Sequence, residues 1–164
     1  MVRDDELNRL VKYALGMGVS VRFKPYVKLS HNRAEWLVDG SEITIYCSPN
    51  ESKLGKILSL IHELSHHKAF VKNERKIDPE TSQLLDKEDL NKKERKQILN
   101  MEIADSSHWE EIYKETNCQF NIEKLYKQRE YDIWSYKFYY ETDRDPSEKE
   151  KRAKKKELRK KYGV

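Results

Sequence analysis

Residues 53–68 carry the feature that most constrains how this chain can fold. The apolar residues of this stretch recur at helical spacing, at Leu54, Ile57, Leu58, Ile61 and Leu64. Such spacing predicts a helix with one face packed against a core, and Ser52 is a suitable N-cap for it. The same stretch contains His62-Glu63-Leu64-Ser65-His66. Residues four positions apart lie on one face of a helix, so both histidines can reach one ion.

This His-Glu-x-x-His pattern indicates metal chemistry. Histidine occurs only five times in the 164 residues, so the motif is unlikely to arise from composition alone. Two imidazoles at this spacing are a common pair of zinc ligands, and the intervening glutamate can hold a water at the metal. We predict a zinc site with His62 and His66 as ligands and Glu63 as general base. The competing interpretation is a surface helix with solvated histidines.

The third metal ligand must come from another part of the chain, because catalytic zinc usually has three protein ligands and one open position. The candidates are Glu102, Asp105, His108 and Glu130. Glu102 lies in a segment with an apolar side, which should pack against the domain and carry the carboxylate inward. Asp105, about one turn later, could fix the tautomer of a ligand histidine. Ligand type favours Glu102, and His108 and Glu130 stay open as alternatives.

The first fifty residues predict a helix followed by a small antiparallel sheet. A helix is expected at 4–15, ended by Gly16 and Gly18, and a strand at 19–23. Strands at 35–38 and 42–46 flank Asp39-Gly40, which is a strong hairpin signal. With the helices that follow, the predicted fold class is α+β and mostly helical, with the sheet preceding the motif helix.

The second half of the chain predicts long helices. A polar segment at 72–88 should be a loop or short helix beside the site. One helix is expected at about 90–116 and another at about 121–142. The latter is rich in aromatic residues, which we assign to core packing.

Positive charge is concentrated at the C-terminal end. Residues 144–164 hold ten Lys and Arg against four acids, a net +6; the whole chain is +4, which leaves −2 for residues 1–143. We therefore predict one domain at 1–143 and a basic tail at 144–164. The tail is expected to be a solvated run, or a charged helix without a buried face. Weak, non-specific nucleic-acid binding is its alternative role.

The remaining composition points to a reduced compartment. Cys47 and Cys118 are the two cysteines, far apart and without the spacing of a metal knuckle. The acidic N-terminus lacks the apolar region of a signal peptide, and no apolar run approaches the length of a membrane span. A cytoplasmic protein without membrane association is the prediction.

The order of these elements resembles the ImmA/IrrE-like metallopeptidases, which include many small phage-encoded zincin-like proteins. The resemblance covers about residues 35–110 and is most specific at 62–66. It joins the strand at 42–46, a short turn, the motif helix and the later segment Glu102-Ile-Ala-Asp105. It implies a zincin-like fold with zinc bound by His62, His66 and Glu102, and with Glu63 acting on water.

The resulting hypothesis is hydrolysis of a peptide bond in one specific protein target. A second electrophile would stabilise the oxyanion, and the candidates are His108, Tyr113, His67 and Tyr136. One alternative is a zincin-fold binding protein that cleaves nothing. Another is a DNA-associated SprT-like metalloprotease, with His108 as the third ligand and the basic tail on DNA.

Overall fold

The computed structural model describes residues 4–25, 34–36, 41–48, 50–72 and 90–164. These residues are mostly helical and fall into two compact units. The first unit comprises residues 1–77 and 107–120, and the second 78–106 and 121–164. Within the described ranges, every helix is too short or too polar to cross a membrane. Of the segment predicted at 72–88, residues 73–88 lie outside the described residues, and so does the turn at Asp39-Gly40.

The first unit begins with helix α1 (Asp4–Gly16), close to the predicted bounds. Its apolar face is fully buried at Leu10 and Ala14. The chain leaves the helix through Gly18, whose φ of 83° favours glycine. Glu6 is also buried, and its carboxylate accepts hydrogen bonds from the backbone N–H groups of Gln119 and Phe120. The buried charge is thereby satisfied, and it ties α1 to residues 119–120.

The sheet is mixed, so the prediction of an antiparallel sheet is wrong for one of its two pairings. Strands β1 (Ser20–Pro25), β2 (Ala34–Trp36) and β3 (Glu42–Cys47) lie in the order β1-β3-β2. The pairing of β2 with β3 is antiparallel, as the hairpin signal predicts, whereas β1 runs parallel to β3.

The positions of the strands follow from their side chains. Ile43 and Ile45 of β3 are fully buried, so this strand benefits most from a neighbour on each side. Strand β1 is largely exposed and carries Arg22, Lys24 and Pro25. Charged residues and proline suit an edge strand. An alternating strand pattern encodes which face is buried but not the direction of pairing, which is why the sequence did not predict the parallel pair.

Helix α2 (Lys53–Val71) carries the motif and lies at the centre of the first unit. Its predicted N-cap is confirmed, since the Ser52 hydroxyl accepts a hydrogen bond from the N–H of Gly55 at 3.0 Å. The helix packs against α1, β2 and β3, and against the short helix α4 (Trp109–Glu115). From Ile61 to Ala69 every residue except His62 is buried.

The single helix predicted at about 90–116 is wrong: it is broken into two. Helix α3 (Lys92–Asp105) ends in a short 3₁₀ helix (Ser106–His108), from which α4 starts. The hydroxyl of Ser106 bonds to the carbonyl of Ile103 at 2.7 Å and accepts a bond from Arg129. Such a bond from a serine hydroxyl to its own helix backbone is favourable at a helix end, where it satisfies a carbonyl of the last turn.

The second unit contains α3 and two further helices, α5 (Ile122–Thr142) and α6 (Glu148–Tyr162). Helix α5 packs against both α3 and α6. We predicted that the aromatic residues of this helix pack in the core. None of these side chains is fully buried. Tyr131, Trp134 and Phe138 instead form a half-buried row with ring centroids 5.6 and 5.7 Å apart.

The basic tail is a helix with a buried side, so the expectation of a charged helix without one is wrong. Leu158 of α6 is 1% exposed. A capping box starts the helix, with Ser147 accepting from the N–H of Glu150 and Glu150 accepting from that of Ser147. Gly163, at φ 68°, ends it. A single leucine among charged residues gives little periodic signal, so the sequence did not reveal the packed face.

Candidate metal centre

The two motif histidines face each other across one turn of α2. Their Nε2 atoms are 3.2 Å apart, and their rings meet edge to face with centroids 4.8 Å apart. Two nitrogens held about 2.0–2.1 Å from a tetrahedral zinc ion would be roughly 3.3–3.4 Å apart. The observed separation therefore fits a shared ion with almost no movement of either ring. Without an ion, the same separation allows one ring to donate a hydrogen bond to the other.

Glu63 lies beside this pair. Its side chain is 9% exposed, and its Oε1 is 3.9 Å from Nε2 of His62. A buried carboxylate is costly unless it meets a cation, a donor or a metal-held water. Glu63 therefore lies next to a potential ligand nitrogen.

His62 is mostly buried, with its side chain 14% exposed. Burial, together with the neighbouring charge of His66, lowers the pKa of His62 well below its usual value of 6.5. The indole of Trp109 contacts it edge to face, with ring centroids 5.6 Å apart. Trp109 is 1% exposed and is the first residue of α4. The neutral imidazole that this environment favours is the form that binds metals.

His62, His66 and Glu102 form a group that could hold a metal ion. Their potential ligand atoms all lie within 4.8 Å of one another. Glu102 comes from α3, and its Oε2 is buried. Within the second unit, burial and then the charge of Glu102 raise the pKa of Tyr140 to about 12. Sequence reasoning missed Tyr140 as a neighbour of Glu102, because it shows only in the packing of α3 against α5.

The rival third ligands are engaged elsewhere. Nδ1 of His108 donates to the carboxylate of Glu111 at 3.0 Å, and His108 itself is buried. The carboxylate of Glu130 accepts from Lys161 and from the hydroxyl of Tyr162. Neither belongs to the metal-capable group found among the described residues. Asp105 is buried at the end of α3, and its predicted role beside a ligand histidine stays a prediction.

Tyr113 and His67, two of the four candidate electrophiles, bond to backbone carbonyls of the first unit. The hydroxyl of Tyr113 donates to the carbonyl of Phe120 at 2.5 Å. His67 donates from Nε2 to the carbonyl of Met17 at 3.0 Å, which anchors α2 to the end of α1. Both side chains are thereby committed to holding the first unit together. His108 and Tyr136 remain predictions for the oxyanion role.

A buried lysine next to the motif organises a charged network that sequence reasoning also missed. Lys68 is 5% exposed and donates to Glu115 and, at 2.7 Å, to the hydroxyl of Tyr13. Glu111 lies 3.3 Å from the same ammonium. Burial lowers the pKa of Lys68, but the bonds to Glu115 and Tyr13 outweigh it and leave the pKa raised. The network joins α1, α2 and α4, the helices that carry or contact the motif.

We expect Glu111 to make the protein sensitive to acid. The hydrogen bond from His108, aided by Lys72 and Lys68 and opposed by burial, lowers the pKa of Glu111 from 4.5 to about 2. A carboxylate with a depressed folded-state pKa contributes stability above its unfolded pKa and loses it as pH falls through the folded value. Stability should therefore drop between about pH 4.5 and pH 2. Glu111→Gln should be less stable than wild type at pH 7 and lose less over that window.

The measurement for Glu111 is the urea midpoint of both proteins at several pH values from 2 to 7. Because the Glu111 side chain is 38% exposed, solvent screens its ion pairs with Lys68 and Lys72, and the effect should be modest. If the urea midpoints of the two proteins fall in parallel between pH 4.5 and 2, Glu111 is not the source of the acid sensitivity.

Comparisons of this chain with protein-family models, with curated proteins and with solved structures return no match. The functional inference therefore depends on the residues and their geometry.

Proposed function

We propose that this protein is a zinc-dependent metallopeptidase of the zincin-like, ImmA/IrrE-like type. His62, His66 and Glu102 would bind the ion, and Glu63 would act as general base. The observation that carries the proposal is the 3.2 Å separation of the two Nε2 atoms on a buried helix with Glu63 beside them. The metal-capable group with Glu102 supports the choice of the third ligand.

The donor set fits zinc chemically. Two imidazole nitrogens and one carboxylate oxygen are the ligands of a large class of catalytic zinc sites, which keep a fourth position open. A structural zinc site would need a fourth protein ligand and would have no use for Glu63. A bound zinc ion would lower the pKa of a water to about 7 and polarise the scissile carbonyl.

The residues of the chain would supply the remaining steps. Glu63 would take the proton from the attacking water and pass it to the leaving amine. Its burial keeps the carboxylate close to the reacting atoms and limits competing contacts with solvent. Trp109 packs against His62 and restricts rotation of that imidazole. We further propose that the substrate is a specific protein, because an unselective protease would digest the proteins around it.

Zinc binding tests this proposal. Wild type should bind about one zinc ion per chain, and Glu102→Ala should lower the affinity more than about 100-fold. The reason is that removal of even an outer-shell partner typically costs 10–100-fold. His108→Ala and Glu130→Ala serve as matched controls and should retain the metal. The measurement is metal content together with competition against a chelating dye.

The outcomes distinguish the competing interpretations. No zinc in wild type, even after zinc is added back, would overturn the proposal. Zinc lost in His108→Ala but kept in Glu102→Ala would favour the SprT-like alternative. Zinc bound as proposed without any hydrolysis would favour a zincin-fold binding protein.

A further inference from the structure

Most of the exposed cations of helix α6 lie on one side of the helix. At about 100° per residue, six cations fall on an arc of roughly 140° of the helix. This basic face consists of Lys149, Arg152, Lys155, Lys156, Arg159 and Lys160, all of them exposed. The packed side carries Leu158, with Lys154 and Tyr162 half-buried next to it.

Each of the three acids of α6 forms an ion pair with a nearby cation. Glu150 accepts from Arg144 through both carboxylate oxygens, at 2.8 and 2.9 Å. Glu157 pairs with Lys154 at 2.7 Å, on the side away from the basic face. Glu148 is the only acid of α6 within the arc, and Lys151 holds it at 3.2 Å. Glu150 and Glu157 therefore lie outside the basic face, whereas Glu148 offsets part of the charge of its neighbours Arg152 and Lys155.

Neighbouring lysines of α5 extend the positive field. Burial, and then the charges of Arg159 and Lys124, lower the pKa of Lys127. Like charges are thus close enough to repel one another at this end of the two helices. Residues 1–143 are net negative, at −2. An anionic partner should consequently be directed to this face.

We propose that the basic face of α6 binds the phosphate backbone of duplex nucleic acid without reading its sequence. The face runs from residue 149 to residue 160, about 16 Å along the helix axis, and a duplex presents one phosphate charge per roughly 1.7 Å of axis. Several cations can therefore contact phosphates at once. This inference is independent of the metal site.

Two other kinds of anionic partner fit the face less well. Single strands are usually held by aromatic residues that stack on bases, and the basic face contains none. A membrane-surface helix needs an exposed apolar side to enter the lipid. The apolar side of α6 is already packed, with Leu158 1% exposed. The absence of stacking aromatics and the packed apolar side therefore favour duplex nucleic acid over either.

The test compares two triple variants that each remove three lysines. Lys149→Gln, Lys156→Gln and Lys160→Gln together remove half of the basic face. Lys92→Gln, Lys93→Gln and Lys96→Gln make the same change in net charge on α3, where all three lysines are exposed. The probe is a random-sequence 24-bp DNA duplex carrying a fluorophore, titrated by anisotropy between 50 and 200 mM salt.

If all six cations contact phosphates, the logarithm of the wild-type binding constant should fall with the logarithm of the salt concentration, with a slope of up to about −5. The basic-face variant should lose at least tenfold in affinity at 50 mM salt and have about half the slope. The α3 variant should bind within about twofold of wild type. Equal losses in both variants, or no wild-type binding at 50 mM salt, would overturn the proposal. So would tighter binding to single-stranded DNA of the same length or to vesicles rich in phosphatidylserine.

Point variants are preferable to removal of residues 144–164. Deletion would take away Leu158 and the ion pairs that Glu130 makes with Lys154 and Lys161, and so expose the packed side of α5. Loss of DNA binding after deletion would then not separate a lost contact from a damaged unit. Thermal unfolding of both triple variants should match wild type, because surface substitutions of this kind usually change stability little.

Discussion

Glu63→Gln is expected to abolish hydrolysis while leaving zinc bound. Glutamine keeps the size and burial of the side chain, but it cannot accept a proton from water. General-base catalysis typically contributes 10²–10⁴-fold, so the rate should fall by about that factor. Metal affinity should stay within a few-fold of wild type, because Glu63 is not among the proposed ligands.

The measurement for Glu63 uses a cell extract rather than a chosen peptide, since the proposed target is a specific protein. Extract is incubated with zinc-loaded wild type or with Glu63→Gln, and new protein N-termini are counted by mass spectrometry. Termini that appear only with wild type identify the cleavage sites. Glu141→Gln, which alters an exposed carboxylate on α5, is the matched control and should cleave as wild type does.

Two results would contradict the role of Glu63. A variant that cleaves at the wild-type rate would show that another residue takes the proton. A variant that loses zinc together with activity would show that Glu63 holds the ion, either directly or through its neighbour His62. Retained metal with lost cleavage is the only combination that the proposed mechanism predicts.

The motif helix was the most predictable part of the molecule. Its N-cap, its first residue and its buried apolar face all follow from local spacing between Ser52 and Leu64. Helix α1 and the start of α5 follow from the same kind of signal. Such elements are readable because capping and amphipathic spacing act within a few residues.

Features that depend on distant partners were not predictable. The direction of β1 depends on which strand takes the centre of the sheet, and the alternation of side chains does not encode this. The break at 106–108 interrupts an apolar pattern that continues through it, so the pattern did not reveal it. Sequence alone could rank Glu102, His108 and Glu130 by ligand type. Only the packing distinguishes these candidates, because it pairs His108 with Glu111 and Glu130 with Lys161.

Trp109→Ala should be among the most destabilising single substitutions in the first unit. The indole is 1% exposed, and truncation of a buried tryptophan or phenylalanine to alanine typically costs about 3–5 kcal/mol. The edge contact with His62 would be lost as well, and such ring pairs contribute about 0.5–1.5 kcal/mol. Because that contact restricts His62, zinc affinity should fall too. Urea unfolding in the presence of a chelator measures the first effect, and zinc competition measures the second.

Trp109→Phe separates packing from polarity at the same position. The indole Nε1 of Trp109 is buried and has no acceptor among the described residues. Phenylalanine removes this unsatisfied donor, whose burial costs about 1–3 kcal/mol, and keeps a ring against His62. The loss of stability should therefore be less than half that of Trp109→Ala, and zinc affinity should stay near wild type. Tyr139→Ala, at a 40% exposed position, should change the free energy of unfolding by under about 1 kcal/mol. A Trp109→Phe variant as unstable as Trp109→Ala would indicate that the indole N–H has an acceptor, and the restraint on His62 would then need another source.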